Sequence, residues 1–284
     1  MVLLMLYNKN LIIKFIKNTD GFWDDHLSPN LDKKHKSILR RFKKKYKNNL
    51  DLYSMELVNW DGQTNLNSPY QFNLRNIKYS GLKNSLINLI RYLYHSNLSN
   101  YFQKISFNDD LKIISKINGM KILEENPIHK FFKNENCFFL DDKVSTNNRW
   151  NRYIYLASQI KRKKLLSSES NNWLDIGSYY GGLQLILKKY YKKQNFYLVD
   201  FNHQLCRSYV ILKNLYPNSN HILPNSISKL RNKENSFYYI PIKKFKNMKN
   251  IKFDLVTNFF SFGEMKKSFF NYYFKNKILN NSKK

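Results

Sequence analysis

The sequence predicts an α/β protein in which a mainly helical region, residues 1–140, precedes a domain built on a parallel β-sheet, residues 141–284. Three observations favour this class. In the second region, short apolar runs alternate with segments of helical periodicity, which is the pattern of β-α-β units. One of these runs leads into a glycine-rich turn that opens a helix. In the first region, apolar residues recur at helical spacing between polar stretches.

The charge balance is strongly basic, with 49 Lys and Arg against 20 Asp and Glu and a formal net charge of +29. Such a balance is typical of proteins that bind nucleic acid or anionic membranes. The basic residues are spread along the whole chain, however, which weakens the inference from charge alone. The hydrophobic fraction of 42% excludes a disordered chain. A basic nucleic-acid-binding protein therefore remains one alternative.

The two cysteines, Cys137 and Cys206, exclude a disulfide-rich scaffold and an all-cysteine zinc site. No apolar run approaches the ~18 residues of a membrane span. The apolar segments 2–6 and 11–16 lack the early cations and the small-residue cleavage site of a secretion signal. We interpret them as a buried helix or strand, and we expect a cytoplasmic protein.

The helices of the first region are predicted from their apolar stripes and capping residues. Residues 32–47 form a basic helix, interpreted either as a solvated face over a core stripe or as a surface for phosphate or lipid headgroups. Residues 59–78 are polar and are predicted to form a loop, followed by a helix over 82–93. Asn108 caps a further helix that ends at Asn118.

The elements of the second region follow from its alternating pattern. A helix over 147–166, capped by Ser145 or Thr146, precedes the sheet. Strands are predicted over residues 173–176, 196–199, 237–242 and 253–257. Helices are predicted over 183–191, 202–216 with Asn202 as the cap, and 267–279.

The glycine turn after the first of these strands indicates a nucleotide-type cofactor. Gly177 and Gly181 allow the backbone to approach a ligand, and the following helix presents free N–H groups. The next strand ends in Asp200, whose carboxylate can accept hydrogen bonds from a ribose. Tyr179 replaces the second glycine of the dinucleotide fingerprint. Together with Asp175 in the strand, this favours S-adenosylmethionine (SAM) over NAD.

Three segments carry a family resemblance, LDIGSYYGGL, YLVDF and FDLVTNFFSFGEM, within about residues 172–270. Together they resemble a family of sugar O-methyltransferases among the class I SAM-dependent enzymes, which have a Rossmann-like sheet. The last block is the most specific of the three, since many methyltransferases share the first two. The resemblance implies SAM as the cofactor and a hydroxyl of a sugar or glycan precursor as the methyl acceptor.

The resemblance also implies roles for individual residues. Asp175, Gly177 and Gly181 would line the SAM turn, and Asp200 would hold the ribose. Asn258 and Ser261 would face the acceptor or the methionine end of SAM. Glu264 would act as the general base, with His203 as the alternative. No metal is expected, because the six histidines are scattered and form no ligand spacing.

The chain departs from this family in two respects. Ser178 and Tyr179 stand where the turn usually has glycine, which we expect to lower cofactor affinity. Nineteen residues follow Met265, whereas a class I sheet has about three further strands there. The expectation is therefore a sheet whose carboxyl-terminal strands are missing, either because the chain is truncated or degraded or because another polypeptide completes it. The uncovered strand edge would also favour association into an oligomer. A non-catalytic remnant that binds a cofactor or a partner is the second alternative.

Overall fold

The computed structural model describes residues 9–28, 31–50, 105, 107–128, 138–139, 144–169, 171–229, 233–248, 250–259, 261 and 267–275. The predicted loop over 59–78, the predicted helix over 82–93 and Glu264 lie outside these residues. Within them, no helix combines the length and the apolarity that a membrane span requires.

The described helices and strands are numbered here along the chain. The helices are α1 (Lys9–Lys17), α2 (Lys33–Tyr46), α3 (107–116), α4 (Gly119–Glu125), α5 (Asn148–Arg162), α6 (Gly182–Lys188), α7 (Asn202–Leu215) and α8 (Lys267–Lys275). The strands are β1 (Phe138–Phe139), β2 (Ser145–Thr146), β3 (Asn172–Ile176), β4 (Asn195–Asp200), β5 (Asn220–Ile222), β6 (Ser236–Pro241) and β7 (Leu255–Thr257). Short 3-10 turns cover Asp25–Leu27, Pro224–Lys229 and Ile242–Met248.

The chain divides into two compact units. One unit joins the amino-terminal segment Met1–Asn59 to Gln159–Lys284, and the other is Trp60–Ser158. The boundary predicted from the sequence lay at residue 140, between a helical region and the sheet. In the structure, α1 and α2 belong to the same unit as the sheet, and the boundary between the units falls inside α5.

The unit Trp60–Ser158 contains α3, α4, the short antiparallel pair β1 and β2, and most of α5. Trp150 is fully buried, and its indole Nε1 donates to the carbonyl of Asn126 at 2.8 Å. A Cβ atom on Gly119 would lie 2.6 Å from the Ile114 side chain and 2.9 Å from Ser158 Oγ, so this contact requires glycine. The cap of α5 is Asn147, whose Oδ1 accepts from the Trp150 amide, rather than Ser145 or Thr146 as predicted.

The other unit is organised by a five-stranded, all-parallel sheet with the strand order β5-β6-β4-β3-β7. The predicted α/β class is confirmed, and the sheet is compatible with a Rossmann-like fold. The four strands predicted from the sequence are present within two residues of their expected ends. The edge strand β5 was not predicted, because it is three residues long and only Ile222 in it is apolar. Each central strand is buried along its length, as both faces of a parallel sheet require.

Aromatic side chains form much of the core on both faces of this sheet. Tyr197 and Tyr238 stack across β4 and β6 with ring centroids 4.2 Å apart, and Phe196 and Phe237 stack at 5.1 Å on the other face. Phe15 of α1 is fully buried, with its ring 5.6 Å from that of Tyr209 in α7. The apolar segment 11–16 is therefore a core helix of the sheet unit, as one of the two interpretations of the sequence proposed.

Candidate functional site

The candidate site lies at the carboxyl ends of the three adjacent strands β4, β3 and β7. Because these strands are parallel, the residues that follow Ile176, Val199 and Val256 meet at one edge of the sheet. The sequence-predicted residues Asp175 and Asp200 both lie at this edge. The sheet topology thus brings these two predicted residues to one edge.

The turn between β3 and α6 has three residues in the left-handed region of backbone conformation. Gly177 and Gly181 have φ values of +77° and +76°, which glycine adopts without a steric cost. Tyr179 has φ +55°, an uncommon conformation for a residue with a Cβ atom. The Gly177 amide donates to the carbonyl of Val199 at 2.8 Å, which fixes the turn to the end of β4.

Asp200 connects the turn to the next helix through both of its carboxylate oxygens. Oδ2 accepts from the Tyr179 amide at 2.7 Å, and Oδ1 accepts from the Phe201 amide at 2.7 Å. Burial raises the pKa of Asp200 to about 7, with further raising by the nearby carboxylates of Asp175 and Asp25. The two amide hydrogen bonds oppose this shift because they stabilise the ionised form.

Asp175 is buried in β3 and is held by two neutral side chains. Thr257 Oγ1 donates to Oδ1 at 2.7 Å, and Gln184 Nε2 donates to Oδ2 at 2.6 Å. The Thr257 hydroxyl in turn accepts from the indole Nε1 of Trp173 at 2.8 Å. Burial raises the pKa of Asp175 to about 6 despite these hydrogen bonds. The carboxyl group is therefore poised to change its charge close to neutral pH.

Asn258 and Ser261 extend the site from the end of β7. Asn258 Nδ2 donates to the carbonyl of Ile176 at 2.7 Å, and Ser261 Oγ donates to the same carbonyl at 3.2 Å. Asn258 also hydrogen-bonds to Ser261. A Cβ atom on Gly177 would overlap the Ser261 side chain, so glycine is required here by a contact within the chain itself. The predicted substrate residues thus contact the predicted cofactor turn.

His203 lies in the first turn of α7, where its ring packs against aromatic side chains. Its ring contacts Phe42 of α2 with centroids 4.7 Å apart and stacks on Phe201 at 6.0 Å. Burial and the charge of Arg207 lower the pKa of His203 to about 3. The ring is therefore neutral at physiological pH, and it is a weak proton acceptor. Glu264, the other candidate base, lies outside the described residues.

The amino-terminal segment contributes Asp25, which the sequence did not single out. Asp25 Oδ2 accepts from the Asn202 backbone amide at 2.8 Å, and Oδ1 accepts from Asn202 Nδ2 at 3.1 Å. Asn202 is the first residue of α7, preceded by Phe201 as the cap, so the prediction of Asn202 as the cap was wrong. An acidic side chain from another part of the chain takes over the capping of this helix.

Three buried polar atoms around the turn have no hydrogen-bond partner among the residues that the structure describes. They are Ser178 Oγ, Gln184 Oε1 and Asn202 Oδ1. Buried polar atoms in folded proteins nearly always have a partner, and those that lack one mark positions where a ligand or water completes the site. Gln184, Thr257 and Asp25 were not predicted from the sequence. Thr257 and Asp25 act through contacts between distant segments, whereas Gln184 lies only nine residues from Asp175 and gave no motif of its own.

Comparison with known proteins gave no match to this chain, either among protein-family models, among curated proteins or among solved structures. The described residues also contain no group of three or more His, Cys, Asp or Glu side chains that could hold a metal ion.

Proposed function

We propose that this chain is a SAM-dependent O-methyltransferase that transfers a methyl group to a sugar or glycan-precursor hydroxyl, as its resemblance to class I enzymes implies. One observation carries the proposal. The carboxylate at the end of β4, Asp200, accepts a hydrogen bond from the glycine turn after β3 at the Tyr179 amide. The two features that an adenosine cofactor needs, a strand-end carboxylate and a left-handed turn opening a helix, therefore lie in direct contact.

The residues at this edge fit the chemistry of SAM. Asp200 would accept from the ribose hydroxyls, because each carboxylate oxygen can accept a second hydrogen bond beside its backbone amide. Asp175 would face the cationic amino group, and the unpartnered Ser178 Oγ and Gln184 Oε1 would complete the polar contacts. When bound, SAM supplies a methyl group activated by its sulfonium. A cation beside Asp175 would also favour the ionised carboxylate and lower its pKa.

The remaining roles concern the acceptor hydroxyl. Asn258 and Ser261 lie beside Gly177 and would orient the acceptor, since positioning supplies much of the rate enhancement in a transfer between two bound reactants. The hydroxyl proton needs a base. The His203 ring packs against Phe42 and Phe201, so we assign this role to Glu264, as the resemblance implies, rather than to His203.

Calorimetric titration of the purified chain with SAM and with its demethylated product tests the cofactor assignment. Asp200→Ala removes the hydrogen bonds to the ribose, and since hydrogen bonds to a charged group contribute about 1.5–3 kcal/mol each, we expect affinity to fall roughly 100-fold or more. Asp20→Ala is the matched control, because it removes the same charge from an exposed position of the same unit. Thermal unfolding verifies that both variants are folded. If Asp200→Ala does not fold, Asp200→Asn replaces it, because asparagine keeps one acceptor oxygen and removes the charge. Unchanged affinity in folded Asp200 variants would remove this residue from the site.

Turnover then separates the two candidate bases. We expect Glu264→Gln to lower methyl transfer by roughly 100-fold or more with SAM affinity retained, as loss of a general base does. His203→Gln should leave turnover within a few-fold. The reverse order of effects would transfer the role to His203.

A non-catalytic binding module is the second candidate function, and one observation favours it. Both oxygens of Asp175 and both oxygens of Asp200 already accept hydrogen bonds from the chain itself. Because the chain itself supplies these hydrogen bonds, the arrangement can stay folded after the ability to bind a ligand has been lost. A folded chain that binds neither SAM nor its product in the titration would refute the cofactor assignment. It would point to such a remnant or to a site completed only by a partner segment.

A further inference from the structure

Helix α2 carries a straight stripe of basic side chains along its outer face. The stripe residues follow one another at intervals of three, four, four and three positions, which keeps them on one side of an α-helix. They are Lys33, Lys36, Arg40, Lys44 and Lys47. All except Lys36, which is half-buried, are exposed. No acidic residue occurs within the helix to neutralise them.

The ion pairs described for this helix and its cap involve residues outside the stripe. Lys43 pairs with Asp24 at 2.9 Å, and His35 pairs with the capping Asp32 at 2.9 Å. Neither Lys43 nor His35 belongs to the stripe, and both side chains are only partly exposed. The stripe therefore faces solvent as a continuous row of positive charge.

The dimensions of the stripe suit a row of phosphates. From Lys33 to Lys47 the helix rises about 21 Å at 1.5 Å per residue, with one cation in each turn of about 5.4 Å. Along one strand of a nucleic acid duplex the phosphates rise about 3.4 Å each, so 21 Å spans roughly six of them. Five cations thus face about six phosphate charges over the same length.

The opposite face of the helix distinguishes nucleic acid from membrane. A helix that binds a membrane surface inserts its apolar side among the lipids. In α2 that side is already buried in the protein, since Leu39, Phe42 and Tyr46 are no more than 8% exposed. Phe42 contacts Trp23 at 5.9 Å and His203 at 4.7 Å between ring centroids. No apolar stripe of this helix is left for insertion, and only the charged face is available.

We propose that the basic stripe of α2 binds the phosphate backbone of a nucleic acid strand. The proposal is independent of the proposed methyl transfer and stands whether or not the chain binds SAM. The contacts are ionic, so binding requires no particular base sequence. Its affinity should decrease steeply as the salt concentration rises, because bound cations release condensed counterions.

Fluorescence anisotropy with a labelled 20-nucleotide RNA and a labelled 20-base-pair DNA duplex tests this inference on the full chain. The stripe variant is Arg40→Gln/Lys44→Gln/Lys47→Gln. The matched control is Lys163→Gln/Lys192→Gln/Lys193→Gln, which removes three exposed charges from elsewhere in the same unit. Glutamine is a good helix former, so α2 is expected to persist, and circular dichroism verifies that it does.

The stripe variant should bind roughly 100-fold more weakly than the native chain at 0.1 M salt, with the slope of log K against log salt reduced by about two to three. The control variant should lose much less affinity for the oligonucleotides. Because the net charge of +29 attracts any polyanion, equal losses in the two variants would overturn the proposal. It would also be overturned if vesicles containing 30% anionic lipid bound the native chain through the stripe while neither oligonucleotide did. A preference for RNA or for the duplex identifies which source of phosphate fits.

Discussion

Replacing Thr257 by valine should expose the energetic value of the hydrogen-bonded chain that runs from Trp173 through Thr257 to Asp175. Valine has nearly the same shape as threonine, so the substitution removes the hydroxyl and little else. The indole N–H of Trp173 and the Oδ1 of Asp175 would both lose their partner, at present 2.8 Å and 2.7 Å away. An unsatisfied buried polar group costs about 1–3 kcal/mol, so we expect a loss of roughly 3 kcal/mol in the free energy of unfolding at pH 7.5.

The cost should depend on pH in a defined direction. The pKa of Asp175 is raised to about 6, so the stability that comes from protonating it is present below 3.8 and is lost as pH rises through 6. The hydrogen bond from Thr257 lowers this pKa, and removing it raises the pKa further. The valine variant therefore loses more stability than the native chain as pH rises. We expect the difference between them to shrink to about 1 kcal/mol at pH 5, where the carboxyl group is neutral in both.

Urea unfolding followed by circular dichroism at pH 5 and at pH 7.5 measures both quantities. Thr257→Ser is the control, because it keeps the hydroxyl and removes one methyl group. Removing that methyl group should lower the free energy of unfolding by about 1 kcal/mol. The reasoning is refuted if the valine and serine variants are equally stable at pH 7.5, or if the cost of valine is the same at both pH values.

Two further predictions concern the backbone turn and the half-buried His221. Gly177→Ala should destabilise the chain by roughly 3 kcal/mol, because its φ of +77° and the overlap with Ser261 both oppose a side chain. Adding Ser261→Gly should restore the part of the unfolding free energy that is lost through the overlap, as measured by urea unfolding in a double-mutant cycle. A coupling energy of zero between the two substitutions would contradict the contact. His221 should stay neutral down to about pH 4 in an NMR titration, because burial lowers its pKa and because Nε2–H donates to the Tyr216 carbonyl while Nδ1 accepts from the Tyr239 hydroxyl. The stability that the neutral ring provides is present above pH 6.5 and is lost as the pH falls toward 4. A ring that titrates near 6.5 would contradict the lowered pKa.

The sheet was predictable because its strands combine burial with clear ends. The run over 196–199 is apolar on both faces and ends in an acidic residue, and β4 ends at Asp200 as expected. The edge strand β5 gave no such pattern, since its residues Asn220 and His221 are polar and its pairing with β6 is decided by the tertiary fold. Propensity and periodicity describe buried central strands better than short edges.

The candidate site was predictable only in part. Asp175 and Asp200 stand out in the sequence because each is a charged residue within an apolar strand. Of the two side chains that hold Asp175, Thr257 could not be inferred, because it lies 82 residues further along the chain. Gln184 lies nine residues from Asp175, but its position in a predicted helix gave no sign of this hydrogen bond. Asn202 looked like a helix cap from its sequence context, yet Asp25 caps the helix from outside. Contacts of this kind depend on which segments meet, and a single sequence carries no local signal for them.

The hydrogen bond between Asp25 and Asn202 joins positions separated by 177 residues, and the whole unit Trp60–Ser158 is encoded between them. At about 5–20 residues per second, roughly 9 to 35 seconds of translation pass between the appearance of these two partners. During that interval the apolar face of α1, with Ile12 and Phe15, has no sheet to cover it. Helix α1 therefore buries its apolar face only late in synthesis, after the strands that cover it have been made.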